Sequence, residues 1–505
     1  MPPRPLLDGL WSIRQRRRAP IGLSEPRDQC RCDDAARINE VAYLRTPHHQ
    51  SYSKEGAVAE TDSGVRNSIS AEPTKAFFVD MLVRDIPLEQ AVLDLVDNCV
   101  DGAKRLAKQA ERPYEGCSVK ITLDQTQFRI VDNCGGFDIE TAREYAFRFG
   151  RPAGAKATSH SIGQFGVGMK RALFKFGRHF NVQSATSNEA WAVDVNVDEW
   201  EAQPGWSFPW AEFQDNGVST AKPGTDIKVT KLRPEVALKF GTAWFRNSII
   251  GLIKSKHRQF ISDGLQISVN DFRIDATNIY LLVSNGFTPG TDILTFTSDD
   301  SAPVTAKIIV GVGTSSPKEA GWNVICNGRV ILEADRRTVT GWGLLEEEAG
   351  KTLIPSFHNQ FARFRGIVSF DSEDSSQIPW NTTKTDVDQD SIIWRKTFQR
   401  MLEMMRPVIN FLNELDADID ESTREKSALL DFVTKASPQR PESFSVKKDF
   451  TAPARGSIVK GPKMIKIQYS RAIDDVNFLQ DALGLGSAKA VGEACFDMIL
   501  KRQRD

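Results

Sequence analysis

No paired CxxC spacing occurs among the seven cysteines, Cys30, Cys32, Cys99, Cys117, Cys134, Cys326 and Cys495. That removes a zinc finger, and an odd, scattered set does not read as a disulfide scaffold. No apolar run approaches the roughly 18 residues that a membrane-spanning helix needs. Neither sign of charge prevails, with 65 Lys and Arg against 66 Asp and Glu. No global field therefore draws the chain onto nucleic acid or an anionic membrane, and any such contact must be a local patch. What is present is a 40% hydrophobic, 26% charged chain of 505 residues, long enough for two to four domains. The composition leads us to expect a soluble, cytoplasmic protein of several parts with no membrane attachment.

Residues 1–72 differ from the rest. Residues 1–20 carry five Arg against one Asp, yet no apolar stretch follows that could serve a signal peptide. Asp28, Asp33, Asp34 and Glu40 weaken a transit-peptide reading. The segment has no sustained period and reads as a disordered leader.

From Pro73 onward the pattern tightens. Leu88–Lys108 has the apolar period of a helix, with Ala91, Val92, Leu95, Val96, Cys99 and Ala103 on its inner side. Ser118–Ile130 alternates like a hairpin, and strand-like stretches recur at His179–Ser184, Trp191–Val197 and Asp226–Thr230. Helices and strands mix without a βαβα rhythm, which predicts an α/β (α+β) sandwich and not a doubly wound sheet.

Three clusters carry candidate chemistry. On the Leu88–Lys108 helix, Asp94, Asn98 and Asp101 stand at i, i+4 and i+7 and project from one face. Three small oxygen-bearing side chains among apolar ones are costly to bury unpaired, and a hard cation such as Mg²⁺ with phosphates would suit them; a solvated helix face is the plain alternative. The second cluster, Asp132-Asn133-Cys134-Gly135-Gly136-Phe137, closes a strand. A carboxylate there can accept from an exocyclic amine while the glycines turn the backbone tightly around a ring, although such a sequence is also an ordinary turn. The third, Gly163-Gln164-Phe165-Gly166-Val167-Gly168-Met169-Lys170, opens a helix, where bare N–H groups approach phosphates. It is neither a Walker A loop nor placed as in a Rossmann unit.

In this order and spacing, the clusters resemble the three ATP-binding boxes of the GHKL superfamily, which includes the gyrase B subunit, the large heat-shock chaperone, bacterial histidine kinases, MutL and the MORC proteins. Bacterial MORC-like ATP-binding proteins are the nearest match. The resemblance implies a Bergerat ATP-binding fold over residues 73–235, with a mobile lid at residues 149–162. It implies ATP and Mg²⁺ as ligands. Asn98 would coordinate Mg²⁺ and Asp132 would bind the adenine amine, supported by Thr225. Asp101 and Lys170 belong to the same boxes as cofactor-binding candidates, and Gly136, Gly163, Gly166 and Gly168 would shape the lid and the phosphate contacts. The water-activating Glu of the family falls on Asp94, shorter by one methylene, so hydrolysis is expected to be slow. Cys134 replaces the first glycine of the family's DxGxG pattern.

The resemblance continues into residues 236–420. Gly321–Ile331 looks like the hairpin of a transducer domain, and Pro379–Asp386 looks like its lysine loop, in which Lys384 would reach the γ-phosphate. Lys384 therefore joins Asp94 as a catalytic candidate, its alternative being an exposed turn lysine. Residues 421–462 read as a linker. Residues 463–505 read as a small strand–helix–helix unit for dimerisation or DNA binding, loosely similar to ribbon–helix–helix modules, with Lys463 and Lys466 facing phosphates.

The implied function is an ATP-hydrolysing clamp that dimerises on ATP and acts on DNA or a partner protein. Two alternatives stand beside it: a non-hydrolysing nucleotide-gated module and a DNA-binding regulator. No histidine among the six has the setting of a phospho-accepting helix, which argues against a histidine kinase. Topoisomerase and MutL-type cleavage domains have no candidate stretch.

Overall fold

The structure, a computed structural model, describes residues 73–148, 159–163, 166–215, 217–298, 301–344, 354–419, 427–454 and 467–504. The leader reading of residues 1–72 and most of the expected lid, residues 149–158, lie outside them, as do Lys463 and Lys466.

Strand alternation decides which side chains enter the first core. In β1 (Ser118–Leu123) Val119, Ile121 and Leu123 turn inward, and in β2 (Phe128–Asp132) Phe128, Ile130 and Asp132 do the same. The period of two thus carries Asp132 to the buried face at the end of its strand. These strands join β3 (Gly177–Ala185), β4 (Ala190–Asn196), β5 (Trp210–Ala211), β6 (Gly224–Leu232), β7 (Gln266–Val269) and β8 (Phe272–Arg273) in one eight-stranded sheet of order β5-β4-β3-β6-β2-β1-β7-β8. All neighbours are antiparallel except β1 and β7. The sheet thus runs to Arg273, past the boundary expected at 235. Parallel pairing of Ser118 with Gln266 is non-local, and no periodicity announces it.

Helices cover the sheet. α1 (Lys75–Arg84) and α2 (Leu88–Arg105) are followed by α3 (Ile139–Thr141), α4 (Gly168–Phe176), α5 (Val197–Ala202), α6 (Pro234–Phe240), α7 (Ala243–Lys256) and α8 (Arg258–Ser262). α2 is buried along most of its 18 residues and packs beside α4. The mixture of helices over a largely antiparallel sheet is the α/β sandwich expected from the sequence.

A second sheet, of order β10-β11-β14-β12-β13, follows. Its strands are β10 (Gly290–Ser298), β11 (Ser301–Val312), β12 (Gly321–Cys326), β13 (Arg329–Asp335) and β14 (Phe364–Asp371), while β9 (Leu281–Val283) is not hydrogen-bonded into it but packs Leu281 on Ile309 and Ile367. α9 (Ile392–Asp418) covers this sheet with Met401, Met405, Val408, Ile409 and Leu412, and Trp322 Nε1 donates to Met405 Sδ at 3.4 Å.

Two expectations are corrected. The linker proposed for 421–462 is, over residues 427–454, part of the second layer. α10 (Ala428–Lys435) buries Leu429 and Val433, β15 (Ser437–Gln439) pairs with β9, and Thr451 and Lys448 bridge to Thr288 and Thr291. Phe450 explains the attachment, since its ring packs on Phe287 and Phe411. The strand expected around Ile465–Tyr469 is not formed at residues 467–470, while Ile465 lies outside the described residues. The two helices do form, α11 (Ile473–Leu483) and α12 (Ala488–Arg504), joined through Gly484 at φ +65°. They pack on each other and leave Ile473, Phe478, Phe496 and Ile499 exposed. Among the described residues, no helix is long and apolar enough to cross a membrane.

Candidate functional site

The site grows from α2. Between Gln90 and Ala103 every side chain is buried except Asn98, which is exposed. Helical spacing puts Asp94 one turn before it and Asp101 about one turn after. The glycines of the third cluster close on the same face. A Cβ at Gly163 would stand 3.0 Å from Asp101 Oδ2 and 3.3 Å from Asn98 Oδ1, and one at Gly168 would stand 3.2 Å from the Asp94 Cβ. Absent side chains therefore let this loop and the start of α4 approach the helix as closely as they do. Gly166 has φ +62°, which glycine adopts freely.

Asp101 does not face open space. Its two oxygens accept from Ile162 N and Gly163 N, both at 2.7 Å, so it holds the loop in place. Each oxygen thus accepts one backbone bond, which gives Asp101 a positioning role on the loop beside the cofactor-binding role expected of it. Lys170, the other candidate of this cluster, is buried in α4, and its Nζ donates to Ala146 O at 2.8 Å. Helical spacing with Leu173 and Phe174 places it on the inner face, and burial lowers it to about 8.

The strand-end cluster is crowded on three sides. Asp132 pairs with Thr225 across β2 and β6, and its Oδ1 accepts from Cys134 N at 2.8 Å. Burial pushes its carboxyl up to about 6 against the bonds from Cys134, Cys99 and Thr225. Thr225 Oγ1 lies 3.2 Å from Ser184 Oγ, which also accepts from Phe137 N at 2.9 Å. Gly136, at φ +61°, brings the chain so near β3 that a Cβ would meet Ala185 O at 2.2 Å. The departure at Cys134 is accommodated by α2: a Cβ at Gly102 would lie 2.8 Å from Cys134 O and 2.9 Å from its Cβ, so the missing side chain at Gly102 makes room for the cysteine.

Lys384 reaches this site from the second layer. Its Nζ lies 2.8 Å from Asp97 Oδ2 and 3.7 Å from Asp94 Oδ1. It is buried and not the exposed turn lysine that was the alternative. Asp94 also accepts from Gln90 Nε2 at 2.9 Å. Burial raises the Asp94 carboxyl, and Lys384 opposes the rise.

Asp97 is the residue the sequence reading passed over. It is fully buried and accepts from His257 Nε2 at 2.9 Å, from Lys384 and from Arg329 Nη1. Burial alone would raise it, but Arg329 and Lys384 hold it well below the usual carboxylate range. A signal existed: Asp97 stands at i+4 from Leu93 and i−3 from Val100, both core positions, where a charge requires a partner. Two further ties join the layers through Asn327, beside a bond of Lys104 within the first layer. Lys104 Nζ donates to His160 O at 2.7 Å and Asn327 O at 2.9 Å, and Asn327 Nδ2 donates to Ser161 O at 3.2 Å.

Among the described residues no three His, Cys, Asp or Glu side chains gather as a metal cage. The donor set beside Asn98 instead suits a cation that brings phosphate and water ligands with it, as Mg²⁺ does. No curated protein matches the chain. Residues 86–225 match the family model described as histidine kinase-, DNA gyrase B- and HSP90-like ATPase, a span that contains all three clusters and Thr225 and stops before the second sheet. That stretch carries an ATP-binding domain of the GHKL type.

Proposed function

We propose that the protein is an ATP-hydrolysing clamp, and the observation that carries this reading is the placement of Asn98. It is the one open side chain on a buried helix face, set against a glycine loop whose backbone approaches it closely. In this reading Asp132 accepts from the adenine amine, Thr225 supports it, and Gly136, Gly163, Gly166 and Gly168 give the backbone its close approach. Asn98 supplies an oxygen to Mg²⁺, which neutralises the phosphate charge when bound. Asp94 takes a proton from the attacking water as the terminal P–O bond breaks and ADP leaves. Its raised carboxyl suits a general base, and Lys384 stands near enough to meet the terminal phosphate.

Closure would pair two copies, in keeping with the MORC-like resemblance. The exposed apolar residues of α11 and α12 offer a second pairing surface, and double-stranded DNA or a partner protein is the object clamped.

One observation favours the nucleotide-gated module instead. Asp94 is short and already engaged by Gln90 and Lys384, a setting that can hold ATP without turning it over.

ATP hydrolysis by the full chain, with and without double-stranded DNA, separates the readings. The clamp predicts turnover that Asp94→Ala and Asn98→Ala both abolish, with ATP still bound by Asp94→Ala. Binding without turnover in the unaltered chain selects the module, and absence of binding removes both.

A further inference from the structure

Three donors from three distant stretches converge on one buried carboxylate. His257 occupies Asp97 Oδ1, while Lys384 and Arg329 share Oδ2. Asp97 alone cannot balance two cations. Asp94, 3.7 Å from Lys384 Nζ, supplies the second negative charge, so the group of four is neutral.

The two cations differ in freedom. Arg329 is wholly buried, and its Nε and Nη2 find no hydrogen-bond partner among the described residues. Separated from Asp97 it would be a stranded buried charge, which is strongly unfavourable. Lys384 is a compact ammonium on a flexible stem. It sits on a turn at φ +55°, a region that lysine adopts at a cost. The turn is prebuilt: Lys384 N donates to Asn381 O at 2.9 Å, and Asn381 Oδ1 accepts from Thr385 N at 2.9 Å.

We propose that Asp97 and Arg329 form the fixed half of an exchange site, which holds Lys384 until a terminal phosphate takes it. Asp97 is a positioning residue and touches no nucleotide. Arg329 remains with Asp97 after the exchange, so Lys384 leaves without stranding a buried carboxylate. A triphosphate captures the released ammonium and a diphosphate does not reach it, which makes the pair a device for sensing the third phosphate. The inference rests on the ATP reading above for its ligand, and on the geometry alone for the hold on Lys384.

The test compares the full chain with Arg329→Gln, Asp97→Asn and the double variant, using the magnesium complexes of adenylyl imidodiphosphate and ADP. In Arg329→Gln, Lys384 becomes the sole cation of Asp97 and cannot leave. Affinity for the triphosphate analogue should fall about tenfold, a usual size for coupling between sites, with ADP affinity unchanged. The double variant removes the trap and should restore the preference for the triphosphate. Equal weakening of both nucleotides, or a double variant no better than Arg329→Gln, would overturn the proposal and mark the pair as a structural tie. Acylation of Lys384 by an N-hydroxysuccinimide ester, read by mass spectrometry without nucleotide, tests the hold independently. Lys384 should be protected in the unaltered chain and in Arg329→Gln, and reactive in Asp97→Asn and the double variant. If the unaltered chain binds neither nucleotide, the ATP reading fails, and labelling alone decides: equal reactivity with and without Asp97 ends the proposal. Should Asp97→Asn not fold, the neutral double variant supplies both readouts.

Discussion

Asp101 holds Gly163: Oδ2 of the one accepts from the backbone N of the other at 2.7 Å, while Oδ1 takes Ile162 N at the same distance. The end of the expected lid is thereby fastened to the helix that carries Asn98. Asp101→Ala should destabilise the fold by about 2–4 kcal/mol, since two buried bonds to a carboxylate are lost. It should also weaken ATP binding. Urea denaturation and nucleotide titration of the same sample check both.

Asp132→Asn should separate stability from binding. Cys134 N and Thr225 hold the carboxylate, and an asparagine oxygen can replace it there. That orients the amide N–H groups toward the ring site, where a donor opposes the adenine amine, so binding should be lost. Stability should move the other way. The folded-state value, about 6, lies above the ordinary 3.8, so the folded chain binds this proton more tightly than the unfolded one. The cost of burying the charge is absent below about pH 4, grows between 4 and 6, and reaches roughly 3 kcal/mol above that. The stability advantage of Asp132→Asn should therefore be larger at pH 7 than at pH 4.5. An advantage independent of pH would contradict the assignment.

Gly136→Ala and Gly205→Ala form a matched pair. Both positions have positive φ, at +61° and +78°, but a Cβ at Gly136 meets Ala185 O at 2.2 Å whereas at Gly205 it meets nothing within 4 Å. Gly205→Ala should cost only the left-handed penalty of about 1–2 kcal/mol. Gly136→Ala should exceed 3 kcal/mol or so, or prevent folding. Melting temperatures of the two variants, measured together, test the difference.

Ending the chain at residue 454 should leave the melting temperature of the rest within about 2 °C, because α11 and α12 pack on each other and remain open to solvent. Self-association should fall in the shortened chain. Sedimentation velocity of both lengths is the measurement, and undiminished association would place the pairing surface elsewhere.

What the sequence made legible was local. Asp94, Asn98 and Asp101 declared one helix face by spacing alone, and the glycines of residues 163–168 close on that face. Asp132 follows from strand alternation. What was not legible depended on distance along the chain. Arg329 and Lys384 lie 232 and 287 residues from Asp97, and no local pattern names such partners. The attachment of residues 437–454 arises from three residues of strand and two isolated bridges, too short to show alternation. The burial of Lys170 was legible in the inner-face spacing it shares with Leu173 and Phe174.

β10 begins at the outside of the second sheet, and its free edge is met by Lys448 at Thr291 while Thr451 covers Thr288 just before it. The covering residues are made some 150 positions later than the strand they shield. During synthesis the nascent chain therefore presents an open edge for the time needed to make that intervening stretch, a few tens of seconds or less at ordinary elongation rates. An uncovered edge is a template for pairing with another chain. Chains interrupted before residue 448 should accordingly be those that clump on the ribosome, however sound the finished protein is.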